Sequence, residues 1–140
     1  MLKGLDPLLT GQLLQILDEM GHSDTIVVTD AHFPAASLAT RLIALPGVGS
    51  PEVVRAICSV LPLDQAPTLA LMTSASGEVL PVHSELMAAA GVAQRDTRFV
   101  DRFAYYDEAK AAFAIVRTGE RRTYANALLS KGVVATSAEG

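Results

Sequence analysis

Apolar and polar positions alternate along this chain in two periods. From Thr10 to Met20 the apolar residues Leu13, Leu14, Leu17 and Met20 recur at helical spacing, with Ile16 beside the stripe. Thr10 reads as the N-cap of that helix and Gly21 as a left-handed residue ending it. The next run, Thr25-Ile26-Val27-Val28-Thr29, is β-branched and continuous, the pattern of a strand covered on both faces. Asp30 stands at its carboxyl end, where ligand crevices open in α/β sheets.

Residues 31–45 show no clean period, and Phe33-Pro34 must turn or extend. Pro46 to Ser50 reads as a loop, with Ser50 as N-cap and Pro51 as the first residue of a helix reaching about Leu61. Leu69 to Met72 reads as a short strand and Gly77 as a turn. His83 to Ala90 reads as a helix ending at Gly91. His83 is taken as a helix-start residue without chemistry. Arg98 to Val100 reads as a strand, Phe103 to Ala112 as a helix, Phe113 to Val116 as a strand and Gly119-Glu120 as a turn. A returning strand is expected over Tyr124 to Leu129, and a frayed tail over 135–140. Helices and strands interleave throughout, which predicts one α/β domain over 1–134, with 135–140 as a short tail.

Composition narrows the field. Eleven basic against 15 acidic residues leave a net charge of −4, without the basic stripe of a nucleic-acid binder. The single cysteine, Cys58, forms no intrachain disulfide and falls on an apolar helix face, where an inert thiol is expected. No apolar run reaches the ~20 residues of a membrane span or the form of a signal peptide. A cytoplasmic location is the expectation, with no membrane and no nucleic acid as partners. Mean hydropathy is +0.33 with only 19% charged residues. So apolar a small domain is expected to bury surface against copies of itself.

Two polar groups stand out. Gly21-His22-Ser23-Asp24 precedes the first strand and Asp30-Ala31-His32 follows it. His22 exchanges protons near neutral pH, and Asp30 accepts from a polar ligand or orients an imidazole. The bland reading is a solvated histidine and a turn carboxylate. His22, Asp24, Asp30 and His32 also offer metal-type donors, but at no established ligand spacing, so no metal is assigned. The second group is Arg102, Tyr105, Tyr106 and Tyr124-Ala125-Asn126, which holds every tyrosine of the chain. Donors, acceptors and flat apolar faces together suit a hydroxylated ring. Helix-face tyrosines and a turn asparagine are the plain alternative. Dinucleotide, P-loop and nucleophile-elbow motifs are missing; Gly47-Val48-Gly49 is a turn.

The order of these motifs resembles the RbsD/FucU sugar mutarotases. The resemblance rests on Met1-Leu2-Lys3, on Leu13-Leu14 through Glu19-Met20-Gly21-His22, and on Asp30-Ala31-His32-Phe33-Pro34-Ala35. It continues in Arg102-Phe103-Ala104-Tyr105-Tyr106, Ala112 to Val116, Thr118-Gly119-Glu120-Arg121 and Tyr124-Ala125-Asn126. It spans nearly the whole chain and is weakest over 45–97. Arg102-Phe103 and the Thr-Gly-Glu-Arg run lie nearer the fucose branch; the ribose branch carries histidine where Arg102 stands.

The resemblance implies an RbsD-like mixed β-sheet flanked by helices. It implies an enzyme without cofactor that interconverts α and β anomers of a free monosaccharide, L-fucose or a related sugar. His22 would be the proton donor, and Asp30, Arg102, Tyr124, Ala125 and Asn126 would bind the sugar, with Tyr106 and His32 as further candidates. The base for the anomeric proton stays open between water and Tyr106. The family's assembly is described as a decamer of two pentamers with sites near subunit boundaries, so a homodecamer is the implied state. A monosaccharide-binding module without turnover, and an interaction scaffold without sugar affinity, are the competing functions. Ala125 departs from the family's usual glycine. If that backbone needs a positive φ, alanine costs about 1 kcal/mol there.

Overall fold

A computed structural model describes residues 1–136. The chain forms one α/β domain in which a six-stranded mixed sheet lies between two helical layers. The elements in chain order are α1 (Gly11–Glu19), β1 (Thr25–Thr29), α2 (Ala35–Leu38), β2 (Leu42–Leu45), α3 (Ser50–Cys58) and β3 (Leu69–Met72). They continue with α4 (Pro81–Ala90), a 3-10 turn at Gln94–Asp96, β4 (Thr97–Val100), α5 (Arg102–Ala111), β5 (Ala114–Thr118) and β6 (Ala127–Ser130).

The strand order is β2-β5-β1-β6-β3-β4. β2, β5 and β1 run parallel, as do β3 and β4. β6 is antiparallel to both β1 and β3 and joins the two groups. Five strands therefore point their carboxyl ends to one edge of the sheet, and β6 starts from that same edge. The period of two sorts side chains between faces. Ile26 and Val28 enter a core with α1, α3 and α4, while Val27 faces the opposite core with Tyr105 of α5.

The local rules hold at several joints. Thr10 caps α1 by accepting the Leu13 N–H at 3.2 Å, and Gly91 adopts the left-handed conformation (φ 69°) that ends α4. Other expectations need correction. Gly21 is not left-handed; Ser23 takes the positive φ of 75° instead. The α1 carboxyl end is closed by Lys131, whose Nζ donates to the carbonyls of Leu17 and Met20 at 2.6 Å each. Such a distant cation leaves no local trace in the helix sequence. Gly49, not Ser50, is the N-cap of α3, Pro51 is its second residue, and the helix stops at Cys58. α4 starts two residues before His83, and β6 starts at Ala127 rather than Tyr124. Of the tail expected over 135–140, residues 137–140 lie outside the described residues. Burial pushes the Cys58 thiol up to about 11, which agrees with an unreactive side chain. Among the described residues no helix is long and apolar enough to cross a membrane.

Candidate functional site

A cleft of about 250 Å³ opens at the carboxyl edge of the parallel strands. It is smaller than the about 300–1,000 Å³ of common small-molecule sites, a space for a small molecule. Asp30 follows β1, Met72 ends β3, Arg102 begins α5 just after β4, and Thr123, Tyr124 and Asn126 precede β6. The topology thus delivers residues separated by almost a hundred positions to one spot.

Asp30 forms the floor and is 3% exposed. Its Oδ1 accepts the backbone N–H groups of His32 and Phe33, each at 2.9 Å, and the Ala125 N–H also donates to the carboxylate. Burial nevertheless outweighs these bonds and raises the Asp30 pKa above the ordinary aspartate value of 3.8. The Asp30 N–H donates to Asn126 Oδ1 at 2.8 Å. That fixes the amide so that its Nδ2 lies toward Met72 Sδ, 3.9 Å away. A sulfur at that range is a weak acceptor, so the amide donors are available to a ligand.

Arg102 and Tyr106 lie one helical turn apart, and Arg102 Nε donates to Tyr106 Oη at 2.9 Å. The Tyr106 ring packs edge-on against Phe33 at 5.3 Å and Phe103 at 5.8 Å. Phe33 is buried under this group, whereas Phe103 is exposed. His32 lines the cleft, with its Nε2 3.1 Å from the Arg121 carbonyl oxygen. The loop after β5 is tied to the Asp30 loop by the Ala31 N–H donating to the Glu120 carbonyl at 2.9 Å. Arg122 in turn pairs with the Glu120 carboxylate at 3.0 Å.

Tyr124 has φ 62°, a conformation that costs a bulky residue about 1–3 kcal/mol. Ala125, where a positive φ was the concern, does not adopt one. It is fully buried, and its backbone N–H serves Asp30. The strain of the tripeptide therefore sits one residue earlier, on the side chain that faces the cleft.

Six of the sequence-predicted residues line the cleft: Asp30, His32, Arg102, Tyr106, Tyr124 and Asn126. Ala125 supports it from behind. Sequence reasoning missed Met72 and Thr123; Met72 reads only as a strand residue until the sheet order is known.

His22 is elsewhere. It precedes β1 while Asp30 follows it, and five strand residues span about 16 Å. Its imidazole is 56% exposed, and Nε2 lies 3.3 Å from Asp64 Oδ1 in the loop before β3. The Asp64 carboxyl is held below its ordinary value by the Gln65 N–H and by His22. Asp64 carried no sequence signal, since only the fold brings it to His22 across 42 positions. His22 and Asp24 stand at one edge of the sheet, and Asp30 and His32 at the other. The four cannot share an ion within one chain, and no metal-type cluster of three occurs among the described residues.

A family model described as the RbsD / FucU transport protein family matches residues 3–134. The crystal structure of the fucose mutarotase in complex with L-fucose from Streptococcus pneumoniae is 36% identical, with a TM-score of 0.86 over 96% of this chain and 100% of that one. FucU from Bifidobacterium longum is 33% identical, with a TM-score of 0.85 over 95% and 100%. RbsD from Bacillus subtilis, solved with D-ribose, shares the fold at 22% identity and a TM-score of 0.78 over 96% and 100%. In both sequence and architecture, the chain belongs to the RbsD/FucU family.

Proposed function

We propose that this protein is a sugar mutarotase that interconverts the α and β anomers of a free reducing monosaccharide, L-fucose or a close relative. The observation that carries the reading is the cleft itself. A buried carboxylate faces a guanidinium, two phenols and a carboxamide whose oxygen is fixed by the Asp30 N–H, across a space of single-sugar size. The 36% identity to a fucose mutarotase supports the same chemistry. Phe33 and Met72 add an apolar edge suited to the methyl group of a 6-deoxy sugar.

Mutarotation removes the proton of the anomeric hydroxyl and delivers one to the ring oxygen. The ring opens to the aldehyde, the C1–C2 bond turns, and the hydroxyl closes on the other carbonyl face. Asp30 and Arg102 clamp sugar hydroxyls, while Tyr124 and Asn126 fix the ring. Tyr106 accepts from Arg102 through Oη and keeps its own proton free to move, so it passes that proton to a solvent water as it takes the anomeric one, and the same path returns a proton to the carbonyl oxygen on closure. His22 protonates the ring oxygen on opening and takes the proton back on closure.

Since His22 is remote from the cleft of its own chain, a second copy supplies it, with Asp64 orienting the imidazole through Nε2. The assembly is a homo-oligomer, for which the family's decamer is the template. Apolar side chains left in solvent, among them Leu2, Phe103, Val133 and Val134, support association. The same geometry favours a second reading for an isolated protomer, which would bind sugar without turning it over.

The test uses the ionisation of Asp30. Its carboxylate accepts from sugar hydroxyls most strongly when ionised, and burial raises its pKa. Sugar affinity is therefore expected to be full near pH 7 and to fall with acidification at a pH above 3.8, the ordinary aspartate value. The sign for stability is opposite. The native carboxyl holds its proton where the unfolded one has lost it, so the fold loses stability as pH rises through that window. Calorimetric titration with L-fucose from pH 4 to 8, beside Asp30→Asn, measures this. Binding that is indifferent to the substitution contradicts the site.

A further inference from the structure

His83 lies outside the cleft and is fully buried. As the third residue of α4 its Nδ1 accepts the Leu80 N–H at 3.0 Å. That bond fixes the tautomer, so Nε2 carries the proton and donates to the Met72 carbonyl at 3.0 Å. The β3–β6 ladder ends at the pair Leu71–Ala127. His83 thus provides a donor to the first carbonyl beyond the ladder. The Tyr124 backbone lies on the same side of the ring, close enough for its carbonyl to favour the imidazole proton. The ring packs edge-on against Phe99 of β4 at 5.6 Å, and burial holds it below the usual histidine value, hence neutral.

Both carbonyls belong to residues whose side chains line the cleft. Met72 also touches the Asn126 amide, and Tyr124 holds a positive φ that only firm surroundings maintain. A charged side chain would not suit this spot, and an apolar one would leave the Leu80 N–H and the Met72 carbonyl without their partner.

We propose that His83 is a positioning residue: its imidazole braces Met72 and the Tyr124 turn from behind, so that the Tyr124–Asn126 wall of the sugar cleft is preformed. The effect on sugar rests on the function proposed above; the bracing does not.

Two variants test it. His83→Leu removes donor and acceptor, while His83→Gln keeps one of each. In His83→Leu, amide hydrogen exchange over residues 123–126 is expected to quicken by about tenfold or more relative to β1 and β5. The L-fucose concentration at half-saturation rises by about tenfold, while the limiting anomer-exchange rate changes by less than about threefold, because preorganisation rather than chemistry is lost. His83→Gln recovers both. A folded His83→Leu with wild-type exchange at 123–126 overturns the proposal. If His83→Leu does not fold, the wild-type imidazole decides. Its ¹⁵N resonances, assigned by their loss in His83→Gln, move on saturation with L-fucose, and resonances that stay fixed overturn the proposal. Asp30→Asn is the control: if it binds L-fucose unchanged, or the wild type binds none, the sugar reading fails, and hydrogen exchange at 123–126 still decides the role of His83.

Discussion

His22→Ala is expected to slow anomer exchange by roughly 10²–10⁴-fold, the contribution of one well-placed proton-transfer group. That range corresponds to about 3–5 kcal/mol of transition-state stabilisation. The fold should survive the change, because His22 is largely exposed and its side-chain bond to Asp64 faces solvent. Sugar affinity should also survive, because Asp30, Arg102, Tyr124 and Asn126 stand at the other edge of the sheet. The informative result is therefore a split: the limiting exchange rate collapses while the half-saturating sugar concentration shifts little. Two-dimensional exchange NMR across a sugar titration measures both. A His22→Ala protein with the wild-type rate would remove His22 from the mechanism and leave water or Tyr106 to move both protons.

The second large effect comes from mixing two inactive proteins. Arg102→Ala removes the guanidinium proposed to hold the sugar, together with its bond to Tyr106, but keeps His22. His22→Ala keeps the whole cleft. If each site takes its cleft from one chain and its histidine from a neighbour, co-assembled rings contain some sites built from the two intact halves. Random one-to-one assembly places both intact halves together in about one site in four. Activity near a quarter of wild type is expected from co-expressed or co-refolded variants, against almost none from either alone. If His22 served the cleft of its own chain, no mixed site would be complete and mixing would restore nothing. The sheet geometry makes this prediction sharp, because β1 separates His22 from Asp30 and no hinge interrupts the strand.

The parts of the fold that were readable share a cause. β1, β3 and β5 are buried on both faces by three-layer packing, so their apolar runs are continuous. β2 was hidden among 31–45 because Leu42–Leu45 is a four-residue edge strand with one face partly open. Tyr124 was read as strand because an aromatic residue suits one locally. Its positive φ goes with the burial of Ala125 and Asn126 just after it, which is a tertiary fact.

The site divides in the same way. Asp30 could be picked out because it ends a strand, and Arg102, Tyr124 and Asn126 through an ordered resemblance. The pairing of His22 with Asp64 and the bracing by His83 depend on which loops share an edge of the sheet. His83 lies three residues after Leu80, a spacing that marks only a helix start. Nothing local shows that its other nitrogen reaches Met72, eleven residues away.

The most direct test of the account is saturation transfer between the α and β anomeric protons of equilibrated L-fucose and of D-ribose, with and without the folded protein. Transfer well above the uncatalysed level is expected with the wild type, strongest for L-fucose, and is expected to be lost with His22→Ala. A folded oligomer that accelerates neither sugar would contradict it and leave the cleft as a binding site alone.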